Sequence, residues 1–183
     1  MRLKGKVGIV TGGARGMGEA EAKLFAREGA KVVVADLLRV EGQAVVDDIN
    51  STGGEAVYSY LNVTDEENWE SVITDAVSRF GKLDILVNNA GMDGAHDPHL
   101  LETNAWDVVM DVNAKGVFLG IKYGVTAMRK TRSGSIINIS SISGFVGMEA
   151  THMGYNASKG AVRIMSKSAA VQCAREGIRV NSV

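Results

Sequence analysis

The chain has 183 residues, 45% of them hydrophobic, and its 20 Lys and Arg against 21 Asp and Glu leave a net charge of −1. That is enough apolar material for one compact core and excludes a disordered or fibrous chain. No basic run offers a nucleic-acid footprint, and no stretch approaches the roughly 18–20 unbroken apolar residues of a membrane span.

The basic start Met1-Arg2-Leu3-Lys4 leads only into a short apolar run, so no targeting peptide is expected. Residues 7–11 form an unbroken apolar stretch, as in a strand covered on both faces, and a helical pattern follows over 17–27. The unit recurs as strand 31–35 with helix 40–49, strand 56–61 with helix 65–80, strand 84–87 with a long helix 104–128, and strand 135–139 with helix 154–175. A sixth strand is expected at 178–181. This alternation predicts right-handed βαβ crossovers: an α/β doubly wound parallel sheet of Rossmann type, with helices on both faces and no second domain. Thr64-Asp65-Glu66-Glu67 reads as a capping box with Thr64 as N-cap, and Gly29 and Gly81 stand where helices should stop. Cys173 is the single cysteine; it falls in an apolar helical pattern and forms no intramolecular disulfide, in keeping with a reducing compartment, so a cytoplasmic location is expected.

Glycine is frequent, at 22 residues, and proline occurs once, at Pro98. The glycines gather where the first strand turns into the first helix, in Thr11-Gly12-Gly13-Ala14-Arg15-Gly16-Met17-Gly18. A dinucleotide pyrophosphate there would meet unpaired N–H groups and the positive helix end, and Gly12, Gly16 and Gly18 let backbone come close. Gly12, Arg15, Gly16, Met17 and Gly18 are therefore candidate cofactor contacts. Asp36, about twenty residues beyond the loop at the end of the second strand, is placed to accept from the adenosine ribose hydroxyls and would repel a 2′-phosphate. This favours NAD, while Arg15 could neutralise such a phosphate and leaves NADP open.

The chain resembles the short-chain dehydrogenase/reductase superfamily. Its glycine pattern Thr-Gly-x3-Gly-x-Gly is matched by 11–18, and Asn88-Asn89-Ala90-Gly91, Ser140-Ser141 and Tyr155-Asn156-Ala157-Ser158-Lys159 follow in the family's order. The resemblance implies a catalytic tetrad of Asn113, Ser141, Tyr155 and Lys159, with Asn89, Asn62 and Val63 near the adenosine and Tyr155 and Lys159 at the nicotinamide ribose. Asn62-Val63 departs from the acidic residue usual there. Tyr155 and Lys159 are an i,i+4 pair on one helix face. A phenol ionises near pH 10, so a base working near neutrality needs about 3–4 kcal/mol of help. One ammonium at about 4 Å supplies roughly that at an effective dielectric near 20, and no metal is required. Tyr155 would remove the hydroxyl proton of a secondary alcohol, Ser141 would donate to the same oxygen, and Asn113 would hold a water relaying protons from Lys159.

Ser141 and Tyr155 are fourteen positions apart, one more than in most relatives, so Ser143 is a minor rival. Relatives continue beyond Asn181-Ser182-Val183 with a Pro-Gly turn, a substrate loop, a seventh strand and a helix, so residues 1–183 read as a catalytic domain truncated at its C-terminus. His96 and His99, around Asp97, lack a third convincing ligand and read as a surface loop near the substrate mouth. By the resemblance, Met92, Asp93, His152 and Met153 are candidate pocket residues, and Asn88 and Asn89, at the predicted switch point, are expected to face the cofactor's adenosine side, with Asn89 as the preferred contact. The expectation is an NAD-dependent dehydrogenase or carbonyl reductase acting on a small-molecule secondary alcohol or ketone; helices 104–128 and 154–175 resemble the family's oligomer interface, which implies a homotetramer. An NADPH-linked 3-oxoacyl-carrier-protein reductase and a non-catalytic dinucleotide-binding or assembly module are the alternatives.

Overall fold

In the computed structural model, which describes residues 1–94, 102–147 and 151–183, six strands form one parallel sheet: β1 (Val7–Thr11), β2 (Lys31–Asp36), β3 (Glu55–Tyr60), β4 (Ile85–Asn88), β5 (Gly134–Asn138) and β6 (Ile178–Ser182). Their order is β3-β2-β1-β4-β5-β6. The chain leaves β1 in one direction and returns through β4 in the other, so β1 and β4 flank the switch point where such sheets open a crevice at their carboxyl ends.

Burial on both faces explains the unbroken apolar strands. Ile9, Val33, Leu86 and Ile136 pair in register and face α3 (Glu66–Phe80), α5 (Gly116–Arg129) and α6 (Met153–Cys173), where Trp69, Met128 and Val162 complete the layer. Val10, Val32, Val34 and Val87 face the other way, onto Ala22 and Ala26 of α1 (Gly16–Arg27) and Val45, Val46 and Ile49 of α2 (Arg39–Ser51). Trp69 is fully buried, and its indole N–H donates to the Val63 carbonyl at 2.9 Å, so the large ring enters the core without an orphaned donor. Cys173 packs in the first layer, and burial pushes its thiol up, away from reactivity.

Two local expectations are corrected. The N-cap of α3 is Asp65, not Thr64: the Thr64 hydroxyl donates to Asn62 Oδ1 at 2.9 Å, and the Asp65 carboxylate accepts from the N–H groups of Glu67 and Asn68. The helix expected over 104–128 is interrupted. It runs as α4 (Thr103–Met110), then a π-helical turn over Asp111–Lys115, then α5, with Asn113 inside the wide turn. Gly29 and Gly81 end helices as expected, at φ +88° and +84°. Among the described residues no helix is long and apolar enough to cross a membrane.

Candidate active site

The carboxyl ends of β1 and β4 are fastened together by one side chain. Thr11, only 1% exposed at the end of β1, accepts from the Asn89 and Ala90 N–H groups at 3.0 Å each and donates to the Val87 carbonyl. Asn89 answers with its amide, donating to the Thr11 and Gly12 carbonyls at 2.9 and 3.2 Å. The loop after β4 therefore lies against the glycine loop. A Cβ on Gly12 would meet Ala90 Cα at 2.9 Å, and one on Gly18 would meet the Gly12 carbonyl oxygen at 2.2 Å.

Beside this contact is a cavity of about 510 Å³ lined by Gly12, Arg15, Met17, Asp36, Asn62, Val63 and Asn89 among others, which brings together most of the sequence-expected cofactor residues. It adjoins a second of about 460 Å³, lined by Asp93, Ser140, Tyr155 and Lys159 and sharing Met17, Asn89, Gly91 and Met92 with the first. One groove thus runs from the Asp36 end to the Tyr155–Lys159 end, across the switch point of the sheet.

This groove fits a dinucleotide. The N-cap of α1, Arg15, makes no side-chain capping bond, so the first N–H groups of a 12-residue helix stay available to an anion. Asp36 accepts from the Ala14 N–H and the Leu38 N–H at 3.0 Å, one on each carboxylate oxygen, and each oxygen keeps a lone pair for a ribose hydroxyl. Tyr58 supports this turn from β3, its hydroxyl donating to the Asp36 carbonyl at 2.7 Å. Asn62 spends its side-chain oxygen on Thr64, which leaves its amide nitrogen as the group facing the choice of an adenine partner. Arg15 is engaged by the Glu41 carboxylate, across from the first turn of α2.

At the other end, α6 starts at His152, whose Nδ1 accepts from the Gly154 N–H at 3.0 Å and whose carbonyl accepts from the Tyr155 N–H. Tyr155 and Lys159 then lie a turn apart, the Lys159 Nζ 5.5 Å from the centre of the Tyr155 ring. Lys159 is 5% exposed, and its ammonium donates to the Ile139 carbonyl at 2.8 Å. Burial pushes this amine down from its usual range. The Ser140 hydroxyl donates to the Lys159 carbonyl, so the end of β5 is stitched to α6 at this level.

Asn113 and Ser141 stand outside both cavity walls. Asn113 is buried at 1% exposure; its amide accepts from the Met92 N–H at 2.8 Å and donates to the Met92 carbonyl at 2.7 Å and to Ser158 Oγ at 3.1 Å. A Cβ on Gly91 would lie 3.1 Å from Asn113 Oδ1 and 3.6 Å from Lys159 Nζ, so Asn113 and Lys159 back the same piece of groove wall. Ser141 caps the short turn Ile142–Gly144 by accepting from the Ser143 N–H. Ser143, its rival, is the middle residue of that turn and is buried, whereas Ser141 is half-buried.

Asn88 does not face the groove. It is 3% exposed, donates to Asn138 Oδ1 at 2.7 Å, and lies so close to α5 that a Cβ on Gly120 would meet its side-chain oxygen at 2.1 Å. Period-two alternation, which puts Asn88 on the face of Leu86, was the available signal. Of the pocket candidates, Met92 and Asp93 line the groove, Met153 is exposed and His152 serves as the cap of α6. His96, Asp97 and His99 lie outside the described residues. Sequence reasoning missed the Thr11 clasp, the Glu41 contact to Arg15 and the His152 cap, because each joins residues whose roles appear only once the chain is folded.

A sequence model of the short chain dehydrogenase family matches residues 6–183. The chain is 45% identical over 184 residues to a 2,5-dichloro-2,5-cyclohexadiene-1,4-diol dehydrogenase of Sphingobium indicum, covering 100% of this chain and 72% of that protein. It is 46% identical over 182 residues to a 3-alpha-(or 20-beta)-hydroxysteroid dehydrogenase of Mycobacterium tuberculosis, covering 100% and 68%. It is 41% identical over 182 residues to a cyclopentanol dehydrogenase of Comamonas testosteroni, covering 100% and 72%. A crystal structure assigned to a short-chain dehydrogenase/reductase from Burkholderia xenovorans superposes with a TM-score of 0.94 at 35% identity, covering 99% of this chain and 74% of that one.

Proposed function

Because the chain belongs to the short chain dehydrogenase family, we propose that it is an oxidoreductase interconverting a secondary alcohol and its ketone with NAD(H), and that Tyr155 takes up and returns the hydroxyl proton. The observation that carries this reading is the pairing of Tyr155 with a buried, groove-lining Lys159, at the far end of a groove that begins at an uncapped glycine loop.

Gly12, Gly16, Met17 and Gly18 would hold the pyrophosphate, Asp36 the adenosine ribose with Arg15 beside it, Asn62, Val63 and Asn89 the adenine side, and Tyr155 and Lys159 the nicotinamide ribose. Bound there, the nicotinamide supplies the acceptor or donor of hydride. The protein's own residues handle the proton and the developing charge. Lys159 carries a buried cation that donates to the neutral Ile139 carbonyl. A charge placed so, away from water, favours negative charge beside it, and the phenol of Tyr155 and the substrate oxygen are where the reaction develops it. Ser141 donates to the substrate oxygen and orients it toward Tyr155. Asn113 fixes the Met92 end of the wall and, by family likeness, the water that passes protons on from Lys159. Asp36 favours NAD, since its carboxylate meets a ribose hydroxyl well and a 2′-phosphate badly.

The three relatives are named for a cyclohexadienediol, a hydroxysteroid and cyclopentanol, so alicyclic secondary alcohols such as cyclopentanol are the first substrates to test. Tyr155→Phe is expected to lower kcat/KM for such an alcohol with NAD by about 10²-fold or more, the range of a lost acid–base group. Its melting temperature should stay near wild type, and NAD should still bind, weaker by no more than the few-fold that one lost ribose hydrogen bond costs. Wild-type turnover in the phenylalanine variant would overturn the reading.

A further inference from the structure

Asp36 and Arg15 are the only acid and the only cation lining the larger cavity among the described residues, and they pull in opposite directions on the adenosine ribose. Asp36 disfavours a phosphate at the 2′ position; Arg15, with its planar fork of donors, suits one. The position of the Arg15 guanidinium therefore decides how the groove treats that phosphate. We infer that Glu41 is a specificity-determining residue, one that holds Arg15 on α2 and so sets the groove against 2′-phosphorylated adenosine. The inference rests on the dinucleotide reading of the groove and deepens it.

Glu41 is in the first turn of α2, and its carboxylate meets Arg15 Nη2 from an element 26 positions away in sequence. Its own backbone N–H, and then the Arg15 guanidinium, hold this carboxyl below the usual range, so it is charged at neutral pH and already anchored where Arg15 reaches it. The helix start is positive, which adds to the preference for a carboxylate at this point. The one cation of α2, Arg39, lies over the Tyr58 ring at 5.9 Å, on the residue that supports Asp36 from behind. With Glu41 in place, an incoming phosphate of about two negative charges has to compete with a carboxylate for Arg15 while it also meets the charge of Asp36. Without Glu41 that competitor is gone, and Arg15 is released toward the cavity it already lines.

The pair is exposed, with 67% of the Arg15 and 36% of the Glu41 side-chain surface accessible, so the effect is moderate. Losing the competing pair and one repelling charge should change affinity for a 2′-phosphate by about five- to tenfold.

Binding of 2′,5′-ADP and of ADP-ribose, neither of which can react, is measured by calorimetry at low salt on the wild-type protein, on Glu41→Ala and on the Arg15→Ala/Glu41→Ala double variant. The expected result is a five- to tenfold gain for 2′,5′-ADP in Glu41→Ala, ADP-ribose unchanged within about twofold, and the gain abolished in the double variant. An unchanged 2′,5′-ADP affinity in Glu41→Ala with ADP-ribose binding intact overturns the inference alone, as does a gain that survives in the double variant. Failure of the wild-type protein to bind ADP-ribose overturns the dinucleotide reading, and the inference with it.

Discussion

Alanine at Gly16 separates the phosphate-holding role of the glycine loop from its packing role. Gly16 has φ +58°, and a Cβ built on it meets nothing within 4 Å. The variant therefore carries left-handed strain of about 1–2 kcal/mol and no clash. At about 2–4 °C per kcal/mol for a chain of this size, its melting temperature should fall by roughly 2–8 °C. The added methyl stands at the first residue of α1, where the pyrophosphate is proposed to approach, so NAD affinity should fall by about tenfold or more. Gly18→Ala is the contrast. Its Cβ would sit 2.2 Å from the Gly12 carbonyl oxygen and 2.6 Å from Asn89 Nδ2, and the first of these is backbone that cannot swing aside. Overpacking of about 3 kcal/mol, with loss of the Asn89 bonds to the loop, should lower its melting temperature by about 10 °C. Calorimetric unfolding together with NAD titration of both variants checks the argument. Wild-type NAD affinity in Gly16→Ala would refute it, and so would equal destabilisation of the two.

Two further outcomes follow from buried or paired side chains. Asn113→Ala removes three hydrogen bonds and leaves the Met92 backbone without its side-chain partner, at a cost of about 2–3 kcal/mol, which melting temperature reads as a drop of roughly 5–10 °C. Asp84 ties Val7 to the sheet from below; burial works against its charge, but the Lys82 ammonium, the Val7 N–H and the Lys6 ammonium outweigh this and hold its carboxyl below the ordinary 3.8. The unfolded chain therefore takes up this proton first, so the contribution is complete above the ordinary value and is lost as pH falls through the lower folded one. Asp84→Asn should lower the melting temperature at neutral pH and flatten its decline on the acid side; an unchanged acid profile would contradict the pairing.

Much of the fold and of the site was legible without coordinates. Every strand of the sheet, and every helix beside it except the interrupted one over 104–128, was found within a few residues because burial on both faces writes itself as Val and Ile runs, and helices as a 3.6-residue apolar period. The α3 start was misjudged by one residue because Thr64 and Asp65 are both good caps, and the choice fell to Asn62, which takes the Thr64 hydroxyl. The π turn around Asn113 was invisible for a different reason: its inward amide is held by Met92 and Ser158, 21 and 45 positions away, and nothing in residues 111–115 alone announces them.

The sequence by itself determined the glycine loop, the carboxylate at the end of β2 and the i,i+4 Tyr155–Lys159 pair, since each depends on neighbours within one or two turns of chain. Only the tertiary structure decided that Thr11 clasps the β4 loop, that Asn88 turns inward while Asn89 faces the groove, and that Glu41 takes Arg15. Those outcomes depend on which strands lie side by side and in what register. Parallel pairing of β1 with β4 brings together residues some 76–79 positions apart, and that proximity is a property of the closed sheet rather than of either segment.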